Sequence, residues 1–216
     1  MSDMAKAEAA VAHGGHGEIT SMGVDSRKMG VWAFIGSEIM FFAALITTFL
    51  VFKPINEERE LAKAAAQAGY EAQLPHHFLD INLTTVLASI LLASSLTMVL
   101  ALAAVRRGDR RQFNIWLLAT VGLGLSFLGG QVYEFTHLYG EGLTLSSSLF
   151  GSTFFLTTGF HGTHVAIGAT WLLAVWINSL RHPYAGKNYM DVEIAGLYWH
   201  FVDLVWVAIF VLLYLI

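Results

Sequence analysis

Residues 197–209 read LYWHFVDLVWVAI, an apolar and aromatic run interrupted only by His200 and Asp203. Whether this run meets water or lipid decides the fold. Its apolar character continues to Ile216, and the chain as a whole is 56% hydrophobic and 13% charged over 216 residues. A soluble domain carries roughly 25% charged residues. Lipid is therefore the solvent to expect.

Working outward, five stretches reach the about 20 mostly apolar residues that a helix needs to cross hydrocarbon. They are 31–52, 81–105, 113–137, 150–179 and 192–216. Each stays apolar instead of alternating every second residue, which favours helices over barrel strands. The expected fold class is all-α: a polytopic membrane protein, a bundle of five transmembrane helices. Residues 1–29 form a polar N-terminal tail and 30–216 the transmembrane domain. The tail lacks the apolar core of a signal peptide and reads as retained. Its His13 and His16 read as solvated residues rather than metal ligands. In the loop 53–78, EERELAKAAAQAGYEAQ has helix-forming composition and then breaks at LPHH, which predicts a short surface helix. No soluble domain is expected after Ile216.

The 12 Lys and Arg are distributed unevenly. Lys6, Arg27, Lys28, Arg106, Arg107, Arg110, Arg111, Arg181 and Lys187 fall on one side, and Lys53, Arg59 and Lys63 on the other. The positive-inside rule then expects a cytoplasmic N-terminus and an outside C-terminus.

The chain has no cysteine, which removes disulfides, thiolate metal sites and CxxCH haem attachment. No phosphate-cradling glycine motif follows a strand, and a net charge of −4 gives nucleic acid no foothold. Small residues recur every four positions in three spans: Ser89, Ala93, Thr97 and Ala101; Gly122, Ser126 and Gly130; Gly162, Ala166, Thr170 and Ala174. Such seams let helix backbones approach where lipid removes the hydrophobic drive for association.

Polar residues inside the spans are the candidate functional residues. Glu38, in GSEIMFFAA, is costly at that depth and needs a partner. At about 1.5 Å per residue, Glu38 and His200 each lie on the order of 12 Å from the cytoplasmic ends of their helices, which makes His200 a candidate partner. Three pairs stand at i,i+3: Glu134 with His137, His161 with His164, and His200 with Asp203. Glu-x-x-His motifs on facing helices build di-iron bundles, so a metal-dependent membrane oxidase is one reading. Depth opposes it, because the first and last pairs are separated by on the order of 15 Å along the membrane normal. A proton-coupled transporter built on Glu38 is a third class, though the half-helices and inverted repeat of such proteins are not evident. The pair His200 and Asp203 shares one helix face and reads as an internal polar latch, each satisfied by the other or by neighbouring helices.

The strings GSEIMFF, GQVYEF, YGEGLTLSSSLFGSTFFLTTGFHGTHVAIG and YWHFVDLVWVAIFVLLY closely resemble subunit III of the haem-copper terminal oxidases, the cytochrome c oxidase subunit 3 family. The resemblance covers about residues 27–216. It implies a noncatalytic all-helical subunit of an aerobic respiratory enzyme in a bacterial cell membrane, packed on the catalytic subunit. It implies no catalytic or metal residue in this chain, with haems and copper in partner subunits I and II. Support of proton uptake, stability and bound phospholipid follows from the same likeness, and a larger respiratory supercomplex is a further partner it allows. Glu38 matches the family's intramembrane carboxylate. Glu134, His137, His161, His164, His200 and Asp203 match positions expected to form a structural polar network. Many family members have seven spans; this chain resembles the shorter five-span bacterial form, which leaves open a lipid cleft formed by the first two helices of longer members. An accessory subunit of a quinol oxidase or nitric oxide reductase carries motifs of the same kind.

Overall fold

The computed structural model describes residues 26–67, 80–146, 148–181, 184 and 189–215. The tail containing His13 and His16 and the LPHH segment lie outside the described residues. Five helices follow in order: α1 Ser26–Ala66, α2 Ile81–Arg107, α3 Arg110–Gly140, α4 Leu149–Arg181 and α5 Met190–Ile209, the last continuing as a π-helical segment over Phe210–Leu215. All five are long and apolar enough to cross a membrane. Among the described residues there is no strand.

Contacts divide the chain into Met1–Ser37 and Glu38–Ile216. In the first unit, the opening turns of α1 hold the Ser37 hydroxyl on the Phe34 carbonyl at 2.7 Å. All packing described below lies within the second. α1 is longer than expected: the segment read as a separate surface helix continues the first span without a break, through Pro54, to Ala66. Its composition extends the helix rather than starting another.

Helices α2 to α5 close a ring in which α2 packs on α3, α3 on α4, α4 on α5, and α5 back on α2. The buried positions repeat every seven residues, not every four. On α2 they are Thr84, Leu91, Met98 and Val105 with Leu87, Ser94 and Ala101; on α3, Phe113, Thr120, Phe127 and Glu134 with Leu117, Gly124, Gln131 and Leu138. The spacing recurs on α4 in Phe154, His161, Gly168 and Val175, and on α5 in Val192, Trp199, Trp206 and Leu213. A seven-residue repeat keeps one face of each helix on its neighbours through left-handed coiling. The four-residue seams are only partly used. Ser89, Ala93, Gly122, Ser126, Thr170 and Ala174 are exposed, while Ala101 is fully buried.

Several glycines mark close approach, at Leu87, Gln131 and Met98 as well as at rings. A Cβ added at Gly124 would stand 2.5 Å from the Trp199 ring, whereas one at Gly122 would meet nothing within 4 Å. α1 joins the ring through aromatics: Phe42 meets Phe201 of α5 and His161 and His164 of α4, and Phe49 meets Phe150. With α2, α4 and α1 around it, α5 is buried on nearly every face.

The ends are capped by the residues that the sequence supplies there. Asp80 accepts from the Asn82 and Leu83 amides at the start of α2, and Asp109 from Gln112 at the start of α3, which satisfies donors that a helix start leaves without partners. Gly108 ends α2 with φ +77°, a left-handed conformation that glycine takes without steric cost. Arg110 then donates to the last carbonyls of α4, Ser179 and Leu180, at 3.1 and 2.9 Å.

Candidate functional site

The polar side chains inside the bundle occupy separate levels, each fixed by helices that meet there. Glu38 lies one turn before Phe42 on α1, so the aromatic face that docks α1 on α4 also carries its carboxylate inward. Its partner is His164, with Oε2 and Nε2 3.1 Å apart, and not His200. The other His164 nitrogen, Nδ1, lies 2.7 Å from the Phe160 carbonyl. A carbonyl only accepts, so Nδ1 must carry hydrogen. The Glu38–His164 contact therefore holds one shared hydrogen, either on the carboxyl or on the imidazole. In both forms the pair has no net charge, which is the arrangement least costly away from water.

His200 turns toward α2, where its Nδ1 stands 2.7 Å from the Ser95 hydroxyl. One residue earlier on α5, Trp199 donates its indole N–H to Ser94 at 3.0 Å. The adjacent serines thus anchor two neighbouring α5 residues. Asp203 is buried, yet neither carboxylate oxygen has a hydrogen-bond partner. Ser95 neighbours Asp203 as well, but its hydroxyl is aligned on His200. The latch between His200 and Asp203 is thus replaced by a bond from His200 to α2, because i,i+3 spacing gives two side chains a common face without aiming one at the other.

His161 is fully buried in a box of rings: it stacks on Trp206 at 4.9 Å and meets the edges of Phe127 and Phe42. Neither ring nitrogen has a hydrogen-bond partner. Nearby on α3, Gln131 donates to the Thr158 carbonyl at 2.7 Å, and its side chain fills the space above Gly162. At the opposite end from Arg110, Glu134 receives two hydroxyls on one oxygen, Thr84 at 3.2 Å and Tyr214 at 3.1 Å. That single carboxylate ties α2, α3 and the π-helical end of α5 together. His137 is not part of this knot. It is exposed and faces Glu141, with 3.7 Å between Nδ1 and Oε1.

The expected site residues therefore do not converge. Glu38 and His164 meet; Glu134 and His137, His161 and His164, and His200 and Asp203 do not bond within their pairs. Among the described residues no group of three or more His, Cys, Asp or Glu side chains is placed to hold a metal ion. The partners that sequence reasoning missed are hydroxyl-bearing: Thr84, Ser94, Ser95 and Tyr214. Their signal was present in the adjacent serines at mid-span in α2.

What these levels define is a polytopic α-helical membrane protein whose interior is stitched by isolated hydrogen bonds, with one neutral acid–imidazole pair on its α1 side. The family model described as cytochrome c oxidase subunit III matches residues 2–216, and the chain belongs to that family. Among its relatives, quinol oxidase subunit 3 of Bacillus subtilis (strain 168) is 37% identical over 187 residues, 87% of this chain and 85% of that one. Cytochrome c oxidase subunit 3 of Alkalihalophilus pseudofirmus is 35% identical over 201 residues, covering 93% and 91% of the two chains. The cytochrome c oxidase subunit 3 of Synechocystis is 36% identical over 206 residues, 95% of this chain and 80% of its own. The chain is thus an oxidase-complex subunit, integral to the membrane.

Proposed function

We propose that this chain is the noncatalytic subunit III of a respiratory haem-copper oxidase in a bacterial cell membrane, packed on the catalytic subunit, with haems and copper held by partner subunits I and II. The whole-length family match carries this reading. The placement of nine of the 12 cations at one side supports a cytoplasmic N-terminus and an outside C-terminus. Glu38 and His164 suit a supporting role: they hold one hydrogen between them beside the bundle face that α1 covers. In this reading the subunit stabilises the assembled enzyme and supports its proton uptake, and phospholipid binds along it.

Affinity purification of the tagged chain from its native membrane tests the proposal. A haem-bearing partner, seen by its optical spectrum, should copurify; a chain recovered alone and consuming oxygen by itself would overturn the reading. The electron donor divides the relatives by name, cytochrome c oxidase in some and quinol oxidase in others. Oxygen uptake by the purified complex with reduced cytochrome c and with a quinol, side by side, assigns it.

A further inference from the structure

Asp203 is 4% exposed, and both of its carboxyl oxygens are buried without a hydrogen-bond partner. Asp3, Asp25, Asp80, Asp109 and Asp191 all lie outside the five apolar spans, so Asp203 alone among the aspartates stands at membrane depth. Its polar neighbour is the Ser95 hydroxyl, which is 2.7 Å from His200 Nδ1. We propose that Asp203 and His200 form a second neutral acid–imidazole pair, joined through Ser95: Asp203 carries a hydrogen and donates it to Ser95, and Ser95 donates its own to His200 Nδ1.

Charge is the first reason. Among the described residues no ion pair reaches Asp203. An ionised carboxylate with neither a cation nor a donor is among the costliest groups to bury, and the neutral acid avoids that penalty. The carbonyl oxygen that the acid leaves over is uncharged, and far cheaper to leave unmatched.

The second reason is the count of hydrogens. A serine hydroxyl has one hydrogen to give and two lone pairs that accept. Ser95 cannot donate to His200 and Asp203 at once, and its hydroxyl is aligned on His200. Asp203 is then matched only by giving a hydrogen to a free Ser95 lone pair, a bond that rotation of the carboxyl makes. The remaining ring hydrogen of His200 sits on Nε2. His200 is half-buried, so Nε2 is not obliged to find a partner inside the bundle.

Both parts of the scheme already occur in this molecule. The adjacent Ser94 works in two directions, donating to the Leu91 carbonyl at 2.6 Å while accepting from Trp199 at 3.0 Å. Glu38 and His164 likewise hold one hydrogen between an acid and an imidazole. In the relay, two hydrogens moving in step would break the Asp203 O–H bond, form a new one on Ser95 and pass the Ser95 hydrogen to Nδ1. The product is a carboxylate and an imidazolium, a separation of charge that is costly away from water. The neutral arrangement is therefore the resting one, and His200 and Asp203 are coupled without touching.

The test uses the full chain in detergent at neutral pH, labelled with carboxyl-13C aspartate and ring-15N histidine. Infrared spectra should show an isotope-shifted band of a protonated aspartate carboxyl. Asp203→Asn should abolish it; should that variant not fold, Asp203→Glu should abolish the labelled band in the same way. Nitrogen NMR should show His200, assigned by difference from His200→Gln, with hydrogen on Nε2 and none on Nδ1. Ser95→Ala removes the acceptor and should shift the carboxyl band toward that of a free acid, and Ser95→Thr, which keeps a hydroxyl, should return it. A protonated aspartate band that is absent from the parent would overturn the pair. Hydrogen on Nδ1 would overturn the direction of the relay, and a band that Ser95→Ala leaves in place would overturn the bridge.

Discussion

His164 carries one hydrogen toward the Phe160 carbonyl, and this decides what its partner must be. A neutral amide at position 38 can still donate to Nε2, so Glu38→Gln should keep the contact and unfold within a degree or two of the parent. Glu38→Leu removes the donor and leaves a half-buried imidazole nitrogen unmatched, which costs about 1–3 kcal/mol. Thermal unfolding in detergent checks both, and equal losses in the two variants would show that the hydrogen is not shared as described. In the assembled oxidase, Glu38→Gln should lower turnover by no more than about threefold, since a positioning role loses little when the shape is retained. The Glu134 knot gives a second measurement: Tyr214→Phe and Thr84→Val should each destabilise by about 1 kcal/mol, and the double variant by more than the sum, because either donor alone still serves the one oxygen. The sequence singled out Glu38 as needing a partner but paired it with His200, where the structure pairs it with His164. Depth follows from counting residues along a helix, whereas the direction a side chain faces depends on how the helices are turned against each other, and His200 proves to face α2 while His164 faces α1.

At the scale of the element, Gly122 and Gly124 of α3 compare a position of the four-residue seam with one of the seven-residue seam. Gly124→Ala pushes a methyl group against the Trp199 ring, and overpacking of this kind costs about 1–3 kcal/mol. Gly122→Ala meets open space, and replacing a helix-interior glycine with alanine gains about 0.5–1 kcal/mol. A loss at Gly124 with none at Gly122 is therefore expected in thermal unfolding. Equal losses would restore the four-residue seam as the packing face. The five spans were legible because each is a long apolar run with polar breaks at its ends. The packing seam was not. In lipid both faces of a helix are apolar, so small residues on the outer face look the same in sequence as small residues on the inner one. Pro54 and the charged run after it likewise hid the continuation of α1, since composition gives helix content but not whether two helical segments share one axis.

For the whole molecule, orientation is the property that the charges predict and the fold allows to be measured. The chain has no cysteine, so single replacements are unambiguous labels. Glu58→Cys, near the far end of α1, should react with a membrane-impermeant maleimide added outside intact cells. Arg111→Cys, at the start of α3, should react only after permeabilisation. The reverse pattern would invert the topology.

The seven-residue seams also bear on the membrane that hosts the bundle. Helices α2 to α4 are 27 to 33 residues long, about 40–50 Å at the helical rise, against about 30 Å of hydrocarbon. Coiled helices lean from the normal, and a lean that deepens or relaxes changes the apolar height they present at a cost of fractions of a kcal/mol per Å. The side-chain caps Asp80 and Asp109 travel with their helices, so such rocking leaves those capping bonds in place. A subunit built in this way is expected to meet a thinner or thicker bilayer by a change of tilt before its fold is lost.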